Sequence, residues 1–496
     1  MGTYDDNIAM TDMDEAMDKI YELDVIPQET RFGATTQHIP GDKVFSSQDI
    51  TVEMLKFAYH GATMSSSLEG DAPDAFEIAL QQMTIGRSDL RELAFTLEHT
   101  LVAQTLGKDR EHSAYEPAKR LVMQAMANIG ERRNQALNMD VNCVKALVAA
   151  KYDADGTTYT SYGSGAAQAF LQIDNGSISM FHPGEMIDIR NASDGTDPRI
   201  VCQVMDVCHT TDFMGVSDIG PGITIEYDSS GAGGTYAGEA TVYNDTNFDN
   251  VADNDEIVRH GEGDAEGYSG SFGTLIDLSS SPADYFSLAR TTIGNYYLVP
   301  YGKSYLDANS ANVNLNLEDH FGEMVDTMAM VIGPSRIWRG QNDFALTKAL
   351  VAQAQPDLVN EIARQAGGDN ARFTREIASK MSAARKAEFV ANAGWDGAVL
   401  HHPGFPPIIV QPEPLCPANK IRMFEPSAWS FYRLGGKEPN WIRNDTGGRW
   451  HIRRNATTGN LTKIRDASAY VHETVVCDQP KTVYQIEGVK STLKSS

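Results

Sequence analysis

His472 and Glu473 open the segment HETVV in the manner of a zinc-hydrolase helix, where a second histidine one turn later would complete the metal face. Val476 stands in that place, so two imidazoles cannot share a helix face, and His472 reads as a strand histidine. Ser269 in GYSGS lacks the glycine spacing of a nucleophile elbow. No Walker-type Gly-Lys-Ser/Thr occurs, and GAGGTYAG does not give the full dinucleotide fingerprint after a strand. His401 and His402 are adjacent; neighbours on a strand point to opposite faces, so joint chelation would require a distorted backbone. Cys202 and Cys208 share a face if their strand is continuous, yet only His209 lies nearby. That is a poor zinc site, and buried structural thiols are the better reading.

The best cation candidate is DTNFDNVADNDE, which sets Asp245, Asn247, Asp249, Asp253 and Glu256 at the ligand spacing of a calcium-binding hand. Its turn position is Asn250 where glycine is needed, and the preceding TYAGEATVYN reads as strand, so the flanking helix is missing. An acidic surface loop is the favoured reading, and an occupied site would be structural. Arg449, Arg453 and Arg454 beside Trp450 make the one basic patch, too small for nucleic-acid recognition and equally explained by a subunit contact. With no convergent nucleophile, base or metal set, the sequence points away from an enzyme and requires no cofactor.

The elements that carry these residues belong to a long, acidic chain. Its 496 residues exceed one compact core of ~100 to 200 residues, so two or three modules are expected. Hydrophobic content of 41% and charged content of 22% are those of a soluble globular protein. No run of about 18 apolar residues is present, and the acidic N-terminus lacks the basic start and apolar centre of a signal peptide. Five scattered cysteines (Cys143, Cys202, Cys208, Cys416 and Cys477) favour reduced thiols over a disulfide framework. The net charge of −26 is unevenly placed. Residues 174–266 hold 19 Asp and Glu against three Arg, whereas residues 420–496 hold 13 Lys and Arg against 7 acids. A solvated acidic face explains this. So does charge sorting, with an acidic module kept from packaged nucleic acid and basic strands set against acidic neighbours.

Residues 1–48 read as an extended arm with a short helix around 13–22. Residues 51–86 place two apolar segments around a Gly, Ser and Asp-rich tip, the pattern of a long hairpin-like loop. From Asp89, Leu90, Leu93, Ala94, Leu97 and Leu101 follow a helical period that predicts a long helix capped by Ser88, kinked near 107–113 and ending around Asn138. Between about 145 and 265 alternation and turn residues predict an all-β module, with Ile187 and Ile189, Val201, Met205 and Val207, and Ile223 and Ile225 on strands. Residues 283–312 look irregular. Helices are expected at 315–329, 341–353 and 357–391, the last broken at Gly367 and Gly368. Ala398–Leu400, then Ile421, Met423 and Phe424, then the cluster Trp429, Phe431 and Tyr432 read as strands, as do two short runs around Pro480.

The segment GWDGAVLHHPGFPPIIVQPEPLCPANKIRMFEPSAWSFYRLGG (394–436), together with NDEIVRHGEGDAEGYSGSFGTLIDL (254–278), GEMVDTMAMVIGPSRIWRG (322–340) and the final HETVVCDQPKTVYQIEGV, resembles the major capsid proteins of tailed bacteriophages, the Hong Kong phage capsid fold. The resemblance covers about residues 50 to 490 and rests on the order of the segments. It implies an α+β chain: N-terminal arm 1–48, extended β-hairpin loop 49–88, peripheral domain with spine helix 89–172, inserted all-β domain 173–262, peripheral domain continued 263–329, axial α/β domain 330–445 and C-terminal peripheral strands 446–496. It further implies self-assembly as hexamers and pentamers into an icosahedral shell around double-stranded DNA, within the virion after assembly in the host cytoplasm. His60, Glu69, Gly70 and Asp71 in the loop, with Arg449, Arg453 and Arg454, become candidate subunit contacts.

Relatives that cross-link a lysine to an asparagine give no assignable pair here, although Lys56 lies in the loop. With fewer than 50 residues before the loop, a separate scaffolding protein is expected, beside a portal and decoration proteins; DNA is met only through non-specific contact, and no membrane is involved. The alternative within the same fold is a bacterial encapsulin-like nanocompartment shell around a cargo enzyme. A calcium-binding extracellular β protein or hydrolase is the reading from another class, disfavoured by the N-terminus and the poor site.

Overall fold

The structure, a computed structural model, describes residues 39, 41–45, 50–55, 80–100, 115–159, 168–191, 198–210, 212–213, 216–217, 219–226, 248, 251–262, 266–276, 284–286, 288–290, 298–307, 311–328, 350–366, 374–377, 398–401, 408–434, 440–441, 451–454 and 461–492. Among them no helix is long and apolar enough to cross a membrane. The expected helix at 13–22, loop residues His60, Glu69, Gly70 and Asp71, and Arg449 lie outside the described residues.

The first described elements are β1 (Gly41–Phe45), β2 (Ile50–Leu55), β3 (Leu80–Ile85) and β4 (Arg91–Thr100), followed by helix α1 (Tyr115–Asn138). A β module comes next: β5 (Ala146–Asp153), β6 (Gln168–Asp174), β7 (Met186–Arg190), β8 (Pro198–Cys208), β9 (Gly222–Glu226) and β10 (Glu256–Arg259). Short α2 (Phe272–Leu275), β11 (Tyr301–Ser304), β12 (Val313–Asn314) and the helical stretch α3 (317–328) lead to β13 (Leu350–Ala354) and α4 (Pro356–Ala366). Among the described residues the remainder is almost wholly strand: β14 (Thr374–Ile377), β15 (Ala398–His401), β16 (Ile408–Pro412), β17 (Lys420–Phe424) and β18 (Trp429–Leu434). Then come β19 (Asn440–Trp441), β20 (His451–Arg454), β21 (Leu461–Cys477), β22 (Val483–Glu487) and β23 (Val489–Lys490).

β2 and β3 pair with each other as a two-stranded ribbon, Ile50 opposite Ile85 and Leu55 opposite Leu80. β1 runs parallel to β18, and β18 runs antiparallel to β21, whose 17 residues also pair with β4, β19 and β20. The β module is a closed barrel in the order β10-β5-β6-β9-β8-β7, which leaves no open edge to pair with another strand. A seven-stranded mixed sheet has the order β11-β22-β17-β13-β16-β15-β14. Its central strands are apolar without alternation, Leu350–Ala352 and Ile408–Val410, because both faces are covered. One face packs Leu350, Ile408 and Ile421 against Phe321, Met324, Leu358 and Ile362 of α3 and α4. The other contributes Val351, Ile409 and Phe424 to a core that continues through Trp429 and Val475, past Leu137 and Tyr268, into the barrel interior at Leu171, Ile187 and Ile225.

Several expectations are corrected. Residues 91–100 form a strand, whereas a helix was expected from Asp89. In RELAFTLEHT, Leu93, Phe95 and Leu97 alternate with Glu92, Ala94, Thr96 and Glu98, a period of two that coexists with the helical spacing; pairing with β21 along Arg91–Thr100 decides between them. Ser88 therefore lies in a single turn, Arg87–Asp89, and caps no helix. Residues 350–354 and 374–377 are strands within stretches expected to be helical, because the seven-stranded sheet supplies their partners. Tyr301–Ser304 is a strand inside the stretch read as irregular. The barrel begins at Ala146, so a domain boundary at 173 would cut through β6. β8 carries a bulge between Val204 and Asp206 that reverses its facing: Cys202 and Val204 lie in the core, Val207 packs against it, and Cys208 falls on the other side. The two thiols thus do not share a face.

Candidate functional site

The last two turns of α1 read ERRNQALN, a composition expected on a solvated helix surface. Arg133, Asn134, Gln135 and Asn138 are nonetheless buried, because both large sheets and the barrel close around this end of the helix. Polar groups taken out of water cost free energy unless they find partners. The two large sheets supply most of them, and the barrel pairs with the less buried Glu131 and Arg132 beside them.

Toward the six-stranded sheet, Arg133 Nε donates to Glu473 Oε1 at 2.6 Å and Arg433 Nε donates to Glu473 Oε2 at 3.0 Å. The Tyr268 hydroxyl donates to Glu473 Oε1 at 2.6 Å. Glu473 has 0% exposure, so these are among the least hydrated charges of the molecule. Burial alone would raise its carboxyl, but the Arg133 and Arg433 guanidiniums outweigh this and hold it below the usual carboxylate value. Burial, reinforced by the neighbouring Glu473 charge, lifts the Tyr268 phenol well above its ordinary value, which keeps it a donor.

Toward the seven-stranded sheet, Asn134 Nδ2 donates to both Glu413 oxygens at 3.1 and 3.2 Å, and Leu415 N donates to Glu413 Oε1 at 3.1 Å. Arg422 Nη1 donates to Asn138 Oδ1 and Arg422 Nε to Gln485 Oε1, both at 2.8 Å, while its guanidinium lies 5.5 Å from the Phe272 ring centre. A buried cation beside the C-terminal turn also meets the negative end of the helix dipole. Toward the barrel, Glu131 Oε1 faces His182 Nε2 at 2.6 Å, and Arg132 pairs with Glu262. The barrel touches the seven-stranded sheet as well, through Ala418 N donating to Gly176 O at 2.9 Å and the Ser177 hydroxyl donating to Pro414 O.

The segment leaving the barrel explains its glycines. A Cβ on Gly270 would stand 2.0 Å from the Val475 carbonyl oxygen, and one on Gly273 would stand 2.5 Å from the Met139 carbonyl. Only backbone without a side chain fits between the end of α1 and β21. Ser269 therefore belongs to a packing joint.

The arrangement suits mechanics better than bond-making. Both oxygens of Glu473 are taken by donors, so its use as a base would sacrifice those contacts. His472, the next residue on β21, faces the other way, with Nε2 at 3.5 Å from Glu92. Among the described residues no group of three or more His, Cys, Asp or Glu is arranged to hold a metal ion. Of the calcium-loop candidates, Asp245, Asn247 and Asp249 lie outside the described residues, Asp253 is exposed, and Glu256 pairs with Arg190 at 3.5 Å. Arg453 and Arg454 lie on β20, with Arg454 opposite Leu461 of β21; their side chains are outside the description. His401 sits on β15 opposite Thr374.

Arg133, Asn134, Tyr268, Glu413 and Arg422 were not singled out by sequence reasoning, and Glu473 was weighed only as part of an incomplete zinc motif. The available signal was the helix end itself, where ERRNQALN offers few apolar residues for an element that must pack on something.

No protein-family model matches the chain, and no curated protein matches it by sequence. Solved structures do. Chains of bacteriophage capsids and of the capsid of a GTA particle are among the matches. A chain of the cyanophage A-1(L) capsid asymmetric unit is 10% identical, with 92% of this chain and 93% of that one covered and a TM-score of 0.43. A chain of the satellite phage P4 procapsid that includes size determination protein is 10% identical over 94% and 90%, with a TM-score of 0.33. A chain from the capsid of a native GTA particle is 9% identical over 92% and 90%, with a TM-score of 0.36.

Proposed function

We propose that this chain is the major capsid protein of a tailed bacteriophage, a non-enzymatic tile that assembles as hexamers and pentamers into an icosahedral shell around double-stranded DNA. The observation that carries the reading is the order of elements. A separate ribbon (β2 and β3), a long helix, a closed barrel, a sheet covered by α3 and α4, and the long strand β21 occur in that chain order, which supports the reading. The buried junction at the end of α1 supports it, since a tile that bears load from several neighbours gains from joining its β units at one rigid point.

Heterologous contacts that close into rings of five or six can tile a closed surface. At roughly 25 cal/mol per Å² of apolar area, arms and loops laid on neighbouring copies would add many kcal/mol that the isolated subunit lacks. The loop residues His60, Glu69, Gly70 and Asp71 and the basic residues Arg449, Arg453 and Arg454 are the proposed subunit contacts. Residues 1–48 serve as the arm and 49–88 as the extended loop. The peripheral domain comprises 89–145, 263–329 and 446–496, with the barrel at 146–262 as the insertion in place of the expected 173–262, and the axial domain at 330–445. A scaffolding protein, a portal and decoration proteins are the proposed partners, DNA is touched non-specifically, and the site of action is the virion after assembly in the host cytoplasm.

The test is to express the chain alone and with the scaffolding protein encoded beside it, then examine the product by sedimentation and electron microscopy. Closed shells of uniform size are expected. A chain that stays monomeric under every crowding and scaffold condition, while converting a small molecule, would overturn the proposal. Shells that carry an enzyme in place of DNA would favour the nanocompartment.

A further inference from the structure

A cleft of about 650 Å³ lies between α1 and the barrel, with Asn128, Glu131 and Arg132 on the helix side and His182, Glu185 and His260 on the barrel side. Two ion pairs cross it. Arg132 pairs with Glu262, and an arginine does not lose its proton in proteins. His182 Nε2 meets Glu131 Oε1 at 2.6 Å, and that pair gains Coulomb attraction only while the imidazole is charged.

The groups around His182 leave Glu131 as its partner across the cleft. On its own turn, Glu185 accepts from the His182 backbone N–H at 3.4 Å. Glu185 is held by the fully buried Lys145, whose Nζ also donates to Met180 O at 3.0 Å, and Arg259 Nε lies 3.9 Å away. The second imidazole of the cleft is committed within the barrel, His260 Nδ1 lying 2.7 Å from Asp188 Oδ1. From the helix, Gln135 accepts from Arg132 Nη1 at 3.1 Å.

We infer that His182 and Glu131 form a proton-dependent latch between the barrel and the long helix. With the imidazole protonated, the turn at 178–186 is held against α1. Once the proton leaves, Arg132 with Glu262 is the remaining described ion pair across the cleft, and the turn opens more often. Both latch residues are about half exposed, at 52% and 40% for the side chains, so protons reach them without unfolding and the effect is of surface-pair size. The latch belongs to the folded chain and does not depend on shell assembly.

Amide hydrogen exchange on the full chain tests it, with rates corrected for the chemical pH dependence of exchange. Protection of the 178–186 turn should fall about 2- to 5-fold between about pH 5.5 and about pH 8. His182→Gln and Glu131→Gln should each abolish that pH dependence while leaving the barrel folded. Glu262→Gln should lower protection by the same factor at both pH values. Equal protection of the unaltered protein at the two pH values, or an unchanged pH dependence in His182→Gln, overturns the latch.

Discussion

Replacing Glu473 by glutamine removes one negative charge from a site where two guanidiniums and a phenol converge on a carboxylate with 0% exposure. The shape barely changes. What remains is Arg133 and Arg433, at 3% and 8% exposure, without the carboxylate that both contact. Removing one partner of a buried ion cluster costs about 3–5 kcal/mol, since the uncompensated charges stay out of water. At 1.4 kcal/mol per decade this is roughly a hundred- to a few-thousandfold in local opening, and it is a large share of the ~5–15 kcal/mol that stabilises a typical domain. A chain of this size need not unfold in one step, so the assay should be local. Trp429 is fully buried 4.4 Å from the Phe272 ring in the same core, and with the other four tryptophans replaced by phenylalanine its fluorescence in a urea titration reports this region. Glu473→Gln should move that transition to markedly lower urea. The triple replacement of Glu473, Arg133 and Arg433 by methionine should recover much of the loss, because an apolar cluster of similar volume strands no charge. A Glu473→Gln transition displaced by less than about 1 kcal/mol, or a triple variant weaker than the single one, would refute the account of the node. The pH dependence has a definite sign. The Glu473 carboxyl is held below its unfolded value, so its contribution is present above the ordinary carboxylate range and is lost as pH falls through the lowered native value. The Trp429 transition should therefore weaken in acid, and Glu473→Gln should flatten that dependence.

Gly270→Ala places a methyl 2.0 Å from the Val475 carbonyl, and backbone must shift to admit it; a loss of about 1–3 kcal/mol is expected, read as a lower thermal midpoint and reduced soluble yield. Arg422→Leu removes the donors to Asn138 and Gln485 and leaves their oxygens buried; the cost should be about 1–3 kcal/mol, measured by urea unfolding, and a neutral outcome would mean the helix end has other support. A thiol reagent at neutral pH should label Cys208 alone in the native protein and all five cysteines after unfolding. Cys143, Cys202, Cys416 and Cys477 are buried, and burial pushes the thiols of Cys143 and Cys416 up to about 12 and about 11. Protection of Cys208 from labelling in the native protein would contradict the facing set by the bulge in β8.

Local pattern carried much of the architecture. Strands such as Met186–Arg190, Gly222–Glu226, Lys420–Phe424 and Trp429–Leu434 were legible because alternation and apolar runs are short-range properties of the chain. The end of the long helix at Asn138 was legible for the same reason. Where two periods fit one stretch, as in RELAFTLEHT, or where a strand depends on distant partners, as in Leu350–Ala354 and Thr374–Ile377, the sequence alone left the choice open and the sheet made it. The junction lay further from view. Arg133, Tyr268, Arg433 and Glu473 stand between 40 and 340 residues apart, and the sequence around each does not name its partners. Burial of a polar group is decided by what folds over it, and hydrogen-bond partners are chosen only once those surfaces meet. Composition, charge placement and the order of modules were therefore properties of the sequence, whereas the closed barrel, the reversed facing of Cys208 and the polar hub at the end of α1 were settled by tertiary contact.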